Sequence, residues 1–170
     1  LRDPFESKTH EFIQLILSNL NNKGGQIIFK NKEIAETFGK YYLKLQREHW
    51  GGNEARVRYY VLSNILRNAI ELKIISINDL RNTDEYVINL LKNSRDNKIL
   101  NELNLLKNGF VILNSDDGIE LKKKFRYLDP EVLVEENIKK LSELSKEYFD
   151  LIQTERINSS FSKKVLILDK

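Results

Sequence analysis

Cysteine is absent from all 170 residues, and so is methionine. Without cysteine the chain holds neither a disulfide scaffold nor a thiolate-ligated metal. Only two histidines occur, His10 and His49, too few for a histidine-rich metal centre built within the chain. No apolar run approaches the roughly eighteen residues of a spanning helix, so no membrane partner is expected. No basic stretch followed by an apolar one opens the sequence, so no signal peptide is visible. A cytoplasmic location is the default expectation. The net charge is only +3, below the dense basic excess of a dedicated nucleic-acid binder. A leucine at position 1, in a chain without methionine, reads as a piece of a longer protein.

What is present suits one medium domain with a real core: 41% hydrophobic and 31% charged residues. Phe12, Ile13, Ile16, Leu17 and Leu20 recur at helical spacing, and "NNKGG" then breaks the helix. "QIIF" is a short strand candidate. Asn31 can cap a helix whose buried stripe is Ile34, Ala35, Phe38, Tyr42 and Leu45. Gly51-Gly52 interrupts the pattern. A long helix over about 54–73 faces Val57, Val61, Leu62, Ile65, Leu66 and Ala69 inward. Ser76 opens a short turn, Thr83 caps "TDEYVINLLKN" with acids in its first turn, and a further helix spans about 96–107 before Gly109 stops it. The period then changes. "GFVILNSDDGIELKKKF" places two strand-like runs around 115–118, a hairpin signal. A helix over about 145–157 and the strand "KKVLIL" follow. The expected fold is mainly α with a small α+β C-terminal part: a helical bundle, a β-hairpin, a helix and a last strand. The expected division is a helical region over 1–108 and an α+β tail over 109–170.

Several motifs bear on function. The segment 31–50 has the small residue, glycine and apolar spacing of a helix-turn-helix. However, Lys40 follows the glycine and no second N-cap restarts a helix. One helix with a glycine inside it, at about 1 kcal/mol relative to alanine, is the simpler account. Lys44, Arg47, His49, Arg56 and Arg58 gather cations near the Gly-Gly break, where backbone can approach an anion closely. On residue types alone an ordinary solvated helix face is the better account of them. Lys122, Lys123, Lys124 and Arg126 read as edge-strand charges that block aggregation. Asp116-Asp117 and Glu135-Glu136 have no metal-site company. No phosphate-loop pattern and no nucleophile elbow occur.

One longer pattern carries more. The stretch "VLSNILRNAIELKIISINDLRNTDEYVINLLKNSRDNKILNELNLLKNGF" resembles the region downstream of the catalytic core in HD-domain phosphohydrolases, the group that includes deoxynucleoside triphosphate triphosphohydrolases. It shares with them a long helix, an "I-S-x-x-D-L" element at 75–80, a helix capped by Thr83-Asp84 and ending in "LL-x-x-S" at 90–94, then a helix and a strand over 99–110. "LRD" at the start looks like the tail of that family's "D-Y-x-x-R-D" segment. "FRYLDPEVL" and "IKKLSELSKEYFDLI" are similar to the ends of archaeal members.

The resemblance implies a parent enzyme that cleaves a phosphoester of a nucleotide with a divalent metal, manganese, magnesium or similar. No His-Asp dipeptide occurs here, so the resemblance places the metal ligands ahead of Leu1. None would be bound by this chain, which would be inactive alone. The chain would supply pocket wall and subunit contacts in a homo-oligomer. Substrate contacts implied are Arg2, Arg47, His49 and Arg56 toward phosphate and Asp3 toward the sugar. The alternative is a winged-helix-like DNA-binding or adaptor module, with Lys40, Lys44 and Arg47 on phosphates. A third option is an oligomerisation domain without a ligand.

Overall fold

Asn31 accepts the backbone N–H of Ile34 on its side-chain oxygen at 2.9 Å and so starts the helix expected there. The computed structural model describes residues 9–121, 124–160 and 163–170. The chain divides into two compact units, Leu1–Gly51 with Lys124–Phe161, and Gly52–Lys123 with Ser162–Lys170. The architecture is mainly α, with a β-hairpin, a helix and a last strand toward the end, in the order the sequence patterns imply. Among the described residues no helix is long and apolar enough to cross a membrane.

Helix α1 (Thr9–Asn19) buries Ile16 and leaves Leu17 exposed. Strands β1 (Leu20–Lys23) and β2 (Gln26–Phe29) pair antiparallel, with Lys23 opposite Gln26. Gly24-Gly25 is therefore the whole turn, and both glycines have positive φ, +62° and +85°. Two left-handed residues let the turn match the twist of the strands. Helix α2 (Lys32–Leu45) runs directly into a π turn, Gln46–Trp50. The segment 32–50 is thus helical throughout, and no turn follows Gly39. Helix α3 (Asn53–Glu71) buries Val57, Val61, Ile65 and Ala69 at helical spacing. A short 3-10 turn, Asp79–Arg81, leads to α4 (Asp84–Asn93), capped by the Thr83 hydroxyl. Helix α5 (Asn97–Asn108) is capped by Asp96 and ends at Gly109, whose φ is +89°.

Strand β3 (Phe110–Leu121) follows, then β4 (Glu131–Val134), β5 (Asn137–Lys140), α6 (Leu141–Leu144), α7 (Lys146–Ser160) and β6 (Lys163–Asp169). The hairpin that precedes the last helix and strand is β4–β5. The two strand-like runs around 115–118 belong instead to the one strand β3, and both pair antiparallel with β6. Asn114 and Ile119 each face Val165, so 115–118 bulges out of the ladder. Gly118 meets the Val165 backbone so closely that a Cβ there would overlap it.

The first unit holds a four-stranded sheet in the order β1-β2-β4-β5, with β2 and β4 parallel at Phe29 and Val132. Phe29, Ala35, Leu43, Val132, Leu141, Tyr148 and Ile152 form its core. In the second unit α3, α4 and α5 pack with the β3–β6 ribbon around Val57, Ile65, Leu91, Ile99, Leu121 and Val165.

Candidate functional site

The π turn positions two of the expected contact residues, Arg47 and His49. Its closing bond runs from the Gly51 N–H to the Gln46 carbonyl at 2.7 Å, five residues back. Such widened turns re-aim side chains and often occur at functional sites. Arg47 Nη1 donates to Glu155 Oε1 at 2.6 Å, and Arg47 Nη2 to Glu48 Oε1 at 3.1 Å. The Glu155 side chain is only 8% exposed. Glu48 and Glu155 hold the Arg47 guanidinium still more firmly in its charged form than usual. Arg47 therefore already has two carboxylate partners. His49 is exposed on the same turn.

Arg56 belongs to the other unit and has different surroundings. It sits in the first turns of α3, half-buried. Nη1 donates to the Leu121 carbonyl at 2.6 Å and Nη2 to Asn53 Oδ1, while Nε is buried without a partner among the described residues. Burial lowers its pKa from the usual arginine value. No described carboxylate forms an ion pair with it. Arg58, two residues on, is paired with Glu54 and lies over the Phe110 ring. Arg2 and Asp3 lie outside the described residues. Of the five expected contacts, then, Arg47 and His49 share one turn, and Arg56 is an arginine without an acidic partner among the described residues.

Sequence reasoning missed a second group in the first unit. Phe125 and Tyr127 stack, with ring centroids 5.5 Å apart and planes 13° from parallel. The Arg156 guanidinium lies over both rings, 5.4 and 5.2 Å from their centroids. Gln46, only 4% exposed, donates through Nε2 to the Lys124 carbonyl at 3.3 Å and anchors the start of this segment. Its Oε1 is buried without a partner among the described residues. The alternation of lysine, phenylalanine, arginine and tyrosine over 124–127 was the available signal.

Among the described residues no three or more His, Asp or Glu side chains gather so as to hold a metal ion. His10 and His49 are both exposed. The described donors do not fit the divalent ion that the family resemblance implies.

No protein-family model matches the chain. No solved structure matches it either. The chain is similar to the uncharacterized protein YdhJ of Bacillus subtilis (strain 168), with 28% identity over 134 residues, 78% of this chain and 41% of that protein. It thus spans about two fifths of the length of the curated relative it matches.

Proposed function

We propose that this chain is the C-terminal part of a metal-dependent HD-type phosphohydrolase acting on nucleotides in the cytoplasm. In this reading it supplies pocket wall and subunit contacts, and the divalent ion is held by residues outside it. The ion would activate water or polarise a phosphoryl oxygen. None of the chain's described residues takes part in bond cleavage.

The observation that carries this reading is the succession over 53–110. A long helix comes first, α3. Ser76 then opens the "I-S-x-x-D-L" element, donating from its N–H and hydroxyl to Asp79 Oδ2 at 2.8 and 2.7 Å. A Thr83-capped α4, an Asp96-capped α5 and the strand β3 follow. The Ser76–Asp79 turn and the Thr83 cap fall on residues that the resembling pattern names. Of the expected cationic contacts among the described residues, Arg56 keeps its charge unneutralised by a described carboxylate, with its Nη groups donating to the Leu121 carbonyl and Asn53, and it would meet substrate phosphate by charge. Arg47 has its fork engaged by Glu155 and Glu48, so its part is to stiffen the wall on which exposed His49 is mounted.

Subunit contact is supported by the β3–β6 ribbon. Val111 lies opposite Leu168 and Leu113 opposite Leu166. All are 40–46% exposed, an apolar row on one ribbon face that a second copy would cover.

Phosphate release from a nucleotide panel with added manganese tests the reading. The longer protein containing this segment turns over a nucleotide, and the 170-residue chain alone does not. Robust turnover by the chain alone, or none by the longer protein on any nucleotide, contradicts it.

A further inference from the structure

We propose that the 124–127 segment together with Arg156 binds single-stranded nucleic acid. This inference does not rest on the phosphohydrolase reading and concerns different residues.

The argument starts from the sequence. Lys124, Phe125, Arg126 and Tyr127 alternate cation and ring. The rings are two residues apart and stack on one another, so the backbone between them places both on the same side. Phe125 is half-buried against the core and fixes the platform. Tyr127 is 44% exposed and offers its ring to solvent. Arg156, from α7, lies over both rings and adds a planar cation to the stack. The Gln46 amide holds the Lys124 carbonyl, so the segment is anchored at its first residue.

Charge supplies the second half. Lys124, Arg126 and Arg156 are all exposed. None forms an ion pair with a described carboxylate. Glu155, the acid next to Arg156 in sequence, is consumed by Arg47. Three exposed cations that no described carboxylate pairs thus accompany a ring pair that Arg156 covers on one side, with Tyr127 still part exposed. Phosphates of a flexible strand satisfy the cations while an unpaired base stacks on Tyr127. A duplex satisfies only the cations, because its bases are already stacked. An acidic peptide likewise leaves the rings unused.

The test is fluorescence anisotropy of the full 170-residue chain with labelled oligouridine and oligothymidine of about ten nucleotides, against a duplex of equal length and with polyglutamate as competitor. The expected result is binding of either single strand at about 50 mM salt, weakening steeply by about 200 mM. Tyr127→Ala weakens it about tenfold, and Tyr127→Phe leaves it nearly unchanged. Arg126→Ser, at an exposed position that leaves packing intact, weakens it and flattens the salt dependence. No binding at low salt overturns the proposal. So do equal affinity for duplex, equal displacement by polyglutamate, or full affinity in a correctly folded Tyr127→Ala chain.

Discussion

Gly39 lies directly against the ring of Tyr148, so close that a Cβ at position 39 would overlap the tyrosine hydroxyl. That hydroxyl donates to the Leu128 carbonyl at 2.5 Å. Burial, with the negative charges of Asp129 and Glu36, pushes its pKa well above the ordinary tyrosine value. A glycine that looks like a helix-breaker in the sequence is therefore the seat that lets α7 press onto α2.

Gly39→Ala tests this seat. Helix propensity alone favours alanine by about 1 kcal/mol. Overpacking opposes it by about 1–3 kcal/mol, and the tyrosine, pinned by Leu128, cannot retreat cheaply. The expected outcome is a net loss of stability, read as a lower urea midpoint. Gly39→Ala combined with Tyr148→Phe should cost less than the sum of the two, because one overlapping atom is gone and the ring, no longer held to Leu128, can move away from the new methyl.

The Arg47–Glu155 pair predicts an asymmetric response. Glu155 is nearly buried and Arg47 about half exposed. Arg47→Ala strands a buried carboxylate and should cost about 1–2 kcal/mol, reduced from the fully buried case by the water that reaches Arg47. Glu155→Gln leaves a neutral group in the same place and should cost less. Chemical denaturation of both variants measures the order, and equal losses would show that the buried charge is not the governing cost.

Glu102 gives a pH-dependent prediction. Its Oε2 is buried without a partner among the described residues. Burial chiefly raises its pKa above 4.5, opposed by Lys98 and aided by Asp96. The folded chain therefore holds this proton more tightly than the unfolded chain does. The resulting stability is present below the unfolded pKa and is lost as pH rises through the higher folded value. Glu102→Gln has no such loss. It should match the parent in acid and exceed it at neutral pH, which melting curves across pH 4–7 would record.

The β3–β6 ribbon predicts association. Leu113→Lys and Leu166→Lys each place a charge in the exposed apolar row and should lower the sedimenting mass to that of one chain, with the circular dichroism unchanged. Tyr59→Arg is a clean companion probe because Tyr59 is 69% exposed. Val61→Asp is not, because Val61 belongs to the core. A single-chain mass in the unsubstituted protein would remove the subunit-contact part of the proposal.

Helices were legible where local rules suffice. Asn31, Thr83 and Asp96 accept N–H groups from the residues three positions on, and Val57, Val61, Ile65 and Ala69 keep the period of a buried stripe. Strand pairing was not legible, because it depends on partners far along the chain. The runs around 115–118 pattern like two hairpin arms, but β6 pairs with both and the acidic turn becomes a bulge. Strand β1 was missed because "LNNK" is polar and exposed, and its pairing comes from the Gly24-Gly25 turn. Among contact residues, the cation cluster near Gly51-Gly52 was visible as composition. Its split into an engaged Arg47 and an uncompensated Arg56 depends on Glu155 and Leu121, residues remote in sequence. The Arg156 contact with Phe125 and Tyr127 spans about thirty residues and has no local trace.

Metal content is the most direct measurement of the central claim. Elemental analysis after purification in manganese should find one tightly held divalent ion per chain of the longer protein, and none above background on these 170 residues alone. Stoichiometric metal on the isolated chain, or a longer protein that stays metal-free, would contradict the account.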